Sequence, residues 1–494
     1  MVQQLKLEGD EQLRSLLAQQ GLDEVAIAQL VGQLPAIKEA QERRQKEITY
    51  DDLTESQRSA CDGIVNFILG PRQEPEKILT GYAGTGKTTV IAIAVKRALE
   101  QSEDLKRSDI LLAGPTHKAC GVIEQSFQST GLGIEADTYA AMLGMRSDFD
   151  KNTGEEFFRP DPGAPESFSK HSIVIADEGS QASRSLKALI DDRVGLFQRI
   201  IWIGDRAQLP PIEDPPEDLE GMHESPVFKL PGWDLTEVVR YNGGLAHFAE
   251  AIRMNLEAET PPSPLDYADD KTVFTRSPAT WRADLLKRFK TDEFIENPDS
   301  LRVLAWRNKT VAVYNDLIHR ARYGDNAPEF CPGETVVATK PCLEEPRVLG
   351  VPPVVLLPNG AEATIDSAQR GVWLEIPVWF LECVTSLGRE IRLRVVSKEG
   401  QSCYQRKVQG LKRTAVQNKG SAWAKYFNFL EEFHPISLAP ALSVHKSQGS
   451  TFENVFVDNS DISMCRGDYH RRVLSNKLSY VAATRASNSA LFKA

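Results

Sequence analysis

The chain has no CxxC pair. Its seven cysteines (Cys61, Cys120, Cys331, Cys342, Cys383, Cys403, Cys465) are scattered through 494 residues and odd in number. That pattern excludes a disulfide scaffold and a zinc ribbon, and it points to a reduced, cytoplasmic setting. No apolar run is long enough to span a bilayer, so no membrane partner is expected. The first residues carry Lys6, Glu8, Asp10 and Glu11 where a secretory leader would be apolar. An excess of positive charge is also missing, since the net charge is −11. This argues only weakly against nucleic-acid binding, because a basic channel can sit inside an acidic protein. The length leaves room for roughly three or four domains.

What is present begins with Lys77-Ile-Leu-Thr-Gly-Tyr-Ala-Gly-Thr-Gly-Lys-Thr-Thr-Val90. An apolar strand (Ile78, Leu79) runs into Gly81, and Gly86, Lys87 and Thr88 open a helix with apolar residues at Val90, Ile91, Ile93, Ala94 and Val95. Strand, glycine-rich turn and helix in this order form a phosphate-binding loop. Its backbone N–H groups and the helix N-terminus attract the β-phosphate. Lys87 reaches the β- and γ-phosphates and Thr88 ligates Mg²⁺. The ATP-binding set is therefore Gln57, Gly81, Ala83, Gly84, Thr85, Gly86, Lys87, Thr88 and Thr89. Gln57 by itself reads as a surface glutamine, though its amide could bond an adenine edge through a paired donor and acceptor, and it joins the set through the family resemblance given below.

A second strand, Ser172-Ile-Val-Ile-Ala, ends in Asp177-Glu178. Asp177 is placed to hold Mg²⁺, and Glu178 to orient and deprotonate an attacking water. That pair indicates hydrolysis. A further strand, Ile200 to Gly204, leads to Gln208, a candidate γ-phosphate sensor. The strand Ile110 to Gly114 ends at Thr116, His117 and Lys118. Strand ends in an open α/β sheet face the ligand crevice, which suits these three for a phosphate backbone.

Residues 145–165 read as a β-hairpin around Asn152-Thr-Gly154. Its aromatics Phe149, Phe157 and Phe158 either pack on the core or stand at a duplex junction and stack on bases. A second α/β unit starts near Arg302, and Glu334 to Ala338 is expected to be one of its strands. From Pro346 to Phe433 the pattern alternates as in a small β-barrel, and its later part is basic, with Tyr404, Trp423 and Tyr426 interleaved. This stretch is either a solvated face or a track for a phosphate backbone. Residues 1–47 read as short helices, either an accessory hairpin or a docking module of unspecified partner.

The ordered series resembles the superfamily-one DNA helicases of the B subclass, Dda-like and related to the RecD helicase core. The resemblance covers roughly residues 48–494. It implies an α/β fold of two RecA-like parallel-sheet domains, 48–230 and 231–345 with 434–494. It further implies a β-hairpin pin inserted at 139–170 and an SH3-like β-barrel at 346–433. It assigns Arg240 and Arg485 as arginine fingers from the second domain, completing a catalytic set of Lys87, Asp177, Glu178, Gln208, Arg240 and Arg485. DNA contacts are carried onto Thr116, His117, Lys118, Thr138, Tyr139, Asn359, Gly360, His445, Lys446 and Ser447, with Phe149, Phe157 and Phe158 as the strand-separating pin. Tyr139 stands where a histidine is usual, and Gly179 where alanine or valine is commoner. The implied activity is ATP- and Mg²⁺-dependent unwinding of duplex DNA by 5′→3′ movement along single strands. The partners implied are single-stranded DNA and its junctions with duplex, acted on by a monomer together with replication or single-strand-binding proteins. The alternatives are an RNA helicase, a translocase without strong unwinding, or a non-enzymatic ATP-gated scaffold.

Overall fold

A computed structural model of the protein describes residues 48–149, 156–161, 166–211, 224–239, 243–344, 354–386 and 388–494. The helical segment expected at 1–47, the tip of the 145–165 hairpin and Arg240 lie outside the described residues.

The first lobe is built on a six-stranded parallel sheet. Its order is Ala136–Thr138, Ile110–Gly114, Ile173–Ala176, Arg199–Gly204, Glu76–Gly81 and Gly232–Leu235. Its inner strands are continuous apolar runs because helices cover both faces. One face buries Ile64, Val65, Ile91 and Ala94 from the helices Glu55–Leu69 and Lys87–Gln101. The other packs Tyr139, Phe168, Trp202 and Phe228. Gly232 lets its edge strand join, since a Cβ there would lie 1.7 Å from the Ile78 carbonyl oxygen.

The second lobe has a five-stranded sheet, also parallel throughout. Its order is Ala441–Ser443, Leu301–Ala305, Phe452–Val457, Ala486–Lys493 and Val273–Arg276. The two α/β units are thus parallel-sheet domains of the RecA-like kind. The lobes share one apolar cluster, in which Ala83, Ala207 and Leu209 of the first lobe pack with Leu245, Phe248 and Tyr480 of the second.

The third sheet departs from expectation. It is an open, antiparallel, five-stranded sheet ordered Glu390–Val396, Ile376–Thr385, Glu362–Trp373, Thr335–Ala338 and Ile436–Leu438. No ladder joins its two end strands among the described residues, so it is not a closed barrel. Its edges approach at His434, whose amide donates to the Arg394 carbonyl at 2.7 Å and whose Nδ1 accepts from the Arg394 amide at 2.8 Å. Thr335–Ala338, expected in the second parallel sheet, belongs here, paired between Glu362–Thr364 and Ile436–Leu438. Beyond residue 400 the expected strands are two helices, Gln401–Asn418 and Ser421–Glu431. The reason is periodicity: Phe380, Ile391 and Leu393 alternate as in strands, whereas Tyr404, Val408, Leu411 and Ala415 recur at helical spacing.

Met145–Phe149 and Glu156–Pro160 pair antiparallel, with Asp148 opposite Phe157 and Ser147 opposite Phe158. The side chains of Phe149, Phe157 and Phe158 lie outside the described part of the structure. No described helix is long and apolar enough to cross a membrane.

Candidate nucleotide site and nucleic-acid interface

The loop between Gly81 and the helix Lys87–Gln101 is shaped by two glycines in the left-handed region, Gly84 at φ 80° and Gly86 at φ 74°. Lys87 folds back over it and donates from Nζ to the carbonyls of Tyr82 at 2.8 Å and Gly81 at 3.0 Å. Burial pushes the Lys87 ammonium down from its ordinary pKa, opposed by the nearby Asp205, Glu178 and Asp177. The partners of Lys87 Nζ in these two bonds are backbone carbonyls, and a phosphate oxygen could take their place. Gln57 is tied to the loop itself: its Nε2 donates to the Thr85 carbonyl at 2.9 Å, while its Oε1 accepts from Thr54 N at 2.9 Å. An adenine contact would add to these bonds.

Asp177 follows the last residue of its strand, and its carboxylate accepts from the Glu178 amide at 2.8 Å. Burial, then the Glu178 charge, push Asp177 up to about 7. Glu178 holds a left-handed backbone at φ 53°, rare for a residue with a side chain. Two adjacent carboxylates whose mutual repulsion raises the Asp177 pKa despite the nearby Lys87 would be relieved by a divalent cation. The residues present therefore fit Mg²⁺, with Asp177 and Thr88 as the holders.

Asp205, fully buried, was not singled out by the sequence and is the centre of the lobe interface. It pairs with Arg253, on the helix Gly243–Met254 of the second lobe. It also accepts from the Tyr480 hydroxyl at 2.7 Å. The same hydroxyl accepts from the Ala83 amide of the phosphate loop at 3.0 Å. The Arg253 guanidinium lies 4.1 Å from the centroid of the Tyr82 ring. A cavity of about 220 Å³ opens beside this cluster, lined in part by Tyr82, His247, Glu250 and Arg253. Arg253 lies within an amphipathic helix pattern, and nothing local in the sequence distinguishes it from a surface arginine.

Arg485 is not aimed at the phosphate loop in this conformation. It lies buried at the end of the helix Tyr469–Thr484 and donates to the Val481 carbonyl at 3.2 Å, the Ser450 carbonyl at 3.2 Å and Thr484 Oγ1 at 3.4 Å. Gln208 does meet the other lobe, through Gln448 Nε2 at 3.5 Å. A Cβ on the adjacent Gly449 would lie 3.9 Å from Glu178 Oε1, so the 445–451 loop rests on the carboxylate site.

The expected DNA contacts divide. His117 is exposed at the start of its helix, and Thr116 caps that helix by accepting from the Ala119 amide at 3.2 Å. Asn359, exposed, and Gly360, half-buried, form a turn with Gly360 at φ 77°. His445 and Lys446 are half-buried in a single turn of helix, and burial lowers the pKa of both. Thr138 is half-buried and caps Tyr139–Met142. Lys118 is drawn to Glu362 at 3.2 Å, and Glu362 is held from the other side by the buried Arg302 at 2.5 Å. That network joins the helix His117–Gln128 of the first lobe to the second parallel sheet and the antiparallel sheet. Two residues leave the DNA-facing set. Tyr139 is in the core, its hydroxyl bonded to the Asp177 carbonyl, because a tyrosine at this position reaches inward to satisfy the end of a strand. Ser447 is buried and donates to the Val444 carbonyl at 2.8 Å.

Comparison with known proteins agrees with this layout. A model of an AAA domain matches residues 52–271, and one of the UvrD-like helicase C-terminal domain matches residues 438–492. The ATP-dependent DNA helicase dda of Enterobacteria phage T4 is 26% identical over 467 residues, covering 89% of this chain and 98% of that protein. The RecBCD enzyme subunit RecD of Mycobacterium tuberculosis (strain ATCC 25618 / H37Rv) is 32% identical over 143 residues, 28% of this chain and 24% of that one. A solved structure of Bacteroides Pif1 bound to ssDNA aligns over 90% of this chain and 92% of that one, at 17% identity and a TM-score of 0.49. The chain thus resembles the superfamily-one helicases: it is similar to a phage DNA helicase along most of its length, and to RecD and the UvrD-like C-terminal domain over shorter stretches.

Proposed function

We propose that the protein is an ATP-dependent DNA helicase that moves 5′→3′ along single-stranded DNA and separates duplex. The observation that carries this reading is the meeting of the two lobes on the phosphate loop, where Tyr480, on the helix that ends at Arg485, accepts from Ala83 N. A change at the nucleotide is then felt by both lobes, which is what a motor requires.

In this reading Lys87 and the loop amides bind the phosphates, and Glu178 holds the attacking water and takes its proton. Thr88 and Asp177 hold Mg²⁺, which when bound neutralises charge on the phosphate oxygens. Gln208 senses the γ-phosphate and passes its state through Gln448 to the 445–447 loop, which with Thr116, His117 and the Asn359-Gly360 turn lines the single-strand track. Arg485 must swing out of its pocket towards the nucleotide as the lobes close, joined by Arg240. The first motor lobe runs from residue 48 through the strand Gly232–Leu235, past the boundary expected at 230, and the antiparallel sheet with its helices is an insert of the second.

The test is ATP-driven strand separation on duplexes carrying either a 5′ or a 3′ single-stranded tail. Unwinding is expected from the 5′ tail alone, and equal unwinding from both tails, or from the 3′ tail only, defeats the polarity. Phe149→Ala, Phe157→Ala and Phe158→Ala together should cut unwinding by about tenfold while leaving DNA-stimulated ATP hydrolysis within twofold, the order expected from losing one to three kcal/mol of stacking. If unwinding persists at the parent rate, the hairpin is not the separating pin.

A further inference from the structure

Between the strands Glu390–Val396 and Ile436–Leu438 the chain leaves the antiparallel sheet as a two-helix arm, Gln401–Asn418 and Ser421–Glu431. From Gln401 to Leu430 this arm carries six Lys and Arg and no Asp or Glu, in a chain of net charge −11. The charges are segregated. Tyr404, Val408 and Leu411 turn inward and pack with Ile376, Val378, Phe429 and Phe433. Arg406, Lys412, Arg413, Lys419 and Lys425 are exposed. Lys407 pairs with Glu375 at 3.3 Å, but among the described residues none of those five has a carboxylate partner.

The aromatic residues of the arm settle which nucleic-acid form suits it. Tyr404 stacks on Phe429 with centroids 5.9 Å apart and meets Phe433 at 5.1 Å. Trp423 is buried and packs on Tyr426 at 5.6 Å and Phe427 at 6.1 Å. Tyr404 therefore joins the two helices, while Trp423, Tyr426 and Phe427 pack on one another within the second. No described large aromatic of the arm is exposed. Single strands are gripped by stacking on exposed rings combined with phosphate contacts. A duplex hides its bases and offers its phosphates outward. Arg406 and Arg413 lie seven residues apart on one stripe of a helix, about 10 Å along its axis, with Lys412 beside them.

We propose that this arm is a second nucleic-acid site, a grip on the phosphate backbone of double-stranded DNA, separate from the single-strand track of the motor. The proposal rests on the helicase reading for its biological use, though not for its chemistry. The sheet that bears the arm is pinned to both lobes through Glu362, so the duplex is held in fixed relation to the motor.

The experiment is fluorescence anisotropy on the full-length protein with a blunt duplex and a single strand as separate probes, at stepped salt. The parent is compared with the triple reversal Arg406→Glu, Lys412→Glu, Arg413→Glu and with the neutral triple to Gln. The reversal should weaken duplex binding at least about tenfold and lower the slope of log K against log salt by about two to three, one for each lost phosphate contact. The neutral triple should fall between, and single-strand affinity and ATP hydrolysis stimulated by single strands should stay within twofold. Unchanged duplex affinity in both triples overturns the grip and leaves a solvated face. A parallel loss on single strands also overturns it and makes the arm part of the track. If the parent hydrolyses no ATP in response to single strands, the helicase reading fails by itself, while the duplex comparison still reads the arm.

Discussion

Lys87→Ala should lower DNA-stimulated ATP hydrolysis by at least about 10²–10³-fold, the cost of removing one preorganised charge from a developing anion. The structure adds a second expectation. Lys87 is half-buried near Asp177, Glu178 and Asp205, and desolvation is the largest influence on it. The ammonium is thus held at a net cost in the absence of phosphate. Removing it should leave the fold intact, with a melting midpoint within about 4 °C of the parent. Steady-state hydrolysis and a thermal melt check both halves. Persistent hydrolysis would mean that the phosphate site is elsewhere, and an unfolded variant would mean that Lys87 is structural.

Asp205→Ala should have the largest effect on stability. It removes the carboxylate that pairs with Arg253, whose side chain is 13% exposed, and leaves the Tyr480 hydroxyl without that acceptor. Breaking a buried pair from one side costs about 3–5 kcal/mol, because the remaining charge stays desolvated. Asp205→Asn should recover part of this loss, since its oxygen still accepts from Tyr480. The lobes should also separate more readily at the phosphate loop, so nucleotide turnover falls along with the melting midpoint. A melt of Asp205→Ala indistinguishable from the parent would show that the interface is held by its apolar cluster alone.

Much of the motor was legible in the chain because its signals are local. A strand, a glycine-rich turn and a helix are neighbours in sequence, so Gly84, Gly86 and Lys87 declare a phosphate loop without help from the rest of the fold. The same holds for Asp177-Glu178 at the end of an apolar run. Alternation in 376–385 and 390–396 likewise identified real strands. It misled beyond residue 400, where basic residues with aromatics among them looked like barrel strands and the helical spacing of Tyr404, Val408, Leu411 and Ala415 was decisive.

The sequence by itself determined the order of the motifs, the two parallel α/β units and the helicases that they resemble. Only the tertiary structure decided which residues meet across the chain. Asp205, Arg253 and Tyr480 are separated by as many as 275 positions, and their contact is set by how two lobes pack, which no local period encodes. It also withdrew Tyr139 and Ser447 from the DNA-facing set, because a hydroxyl that satisfies a buried carbonyl cannot also face solvent. The arginine at 485 shows the same division: its place at the end of a helix is written in the chain, while its retracted position is set by the carbonyls that the folded lobe presents to it.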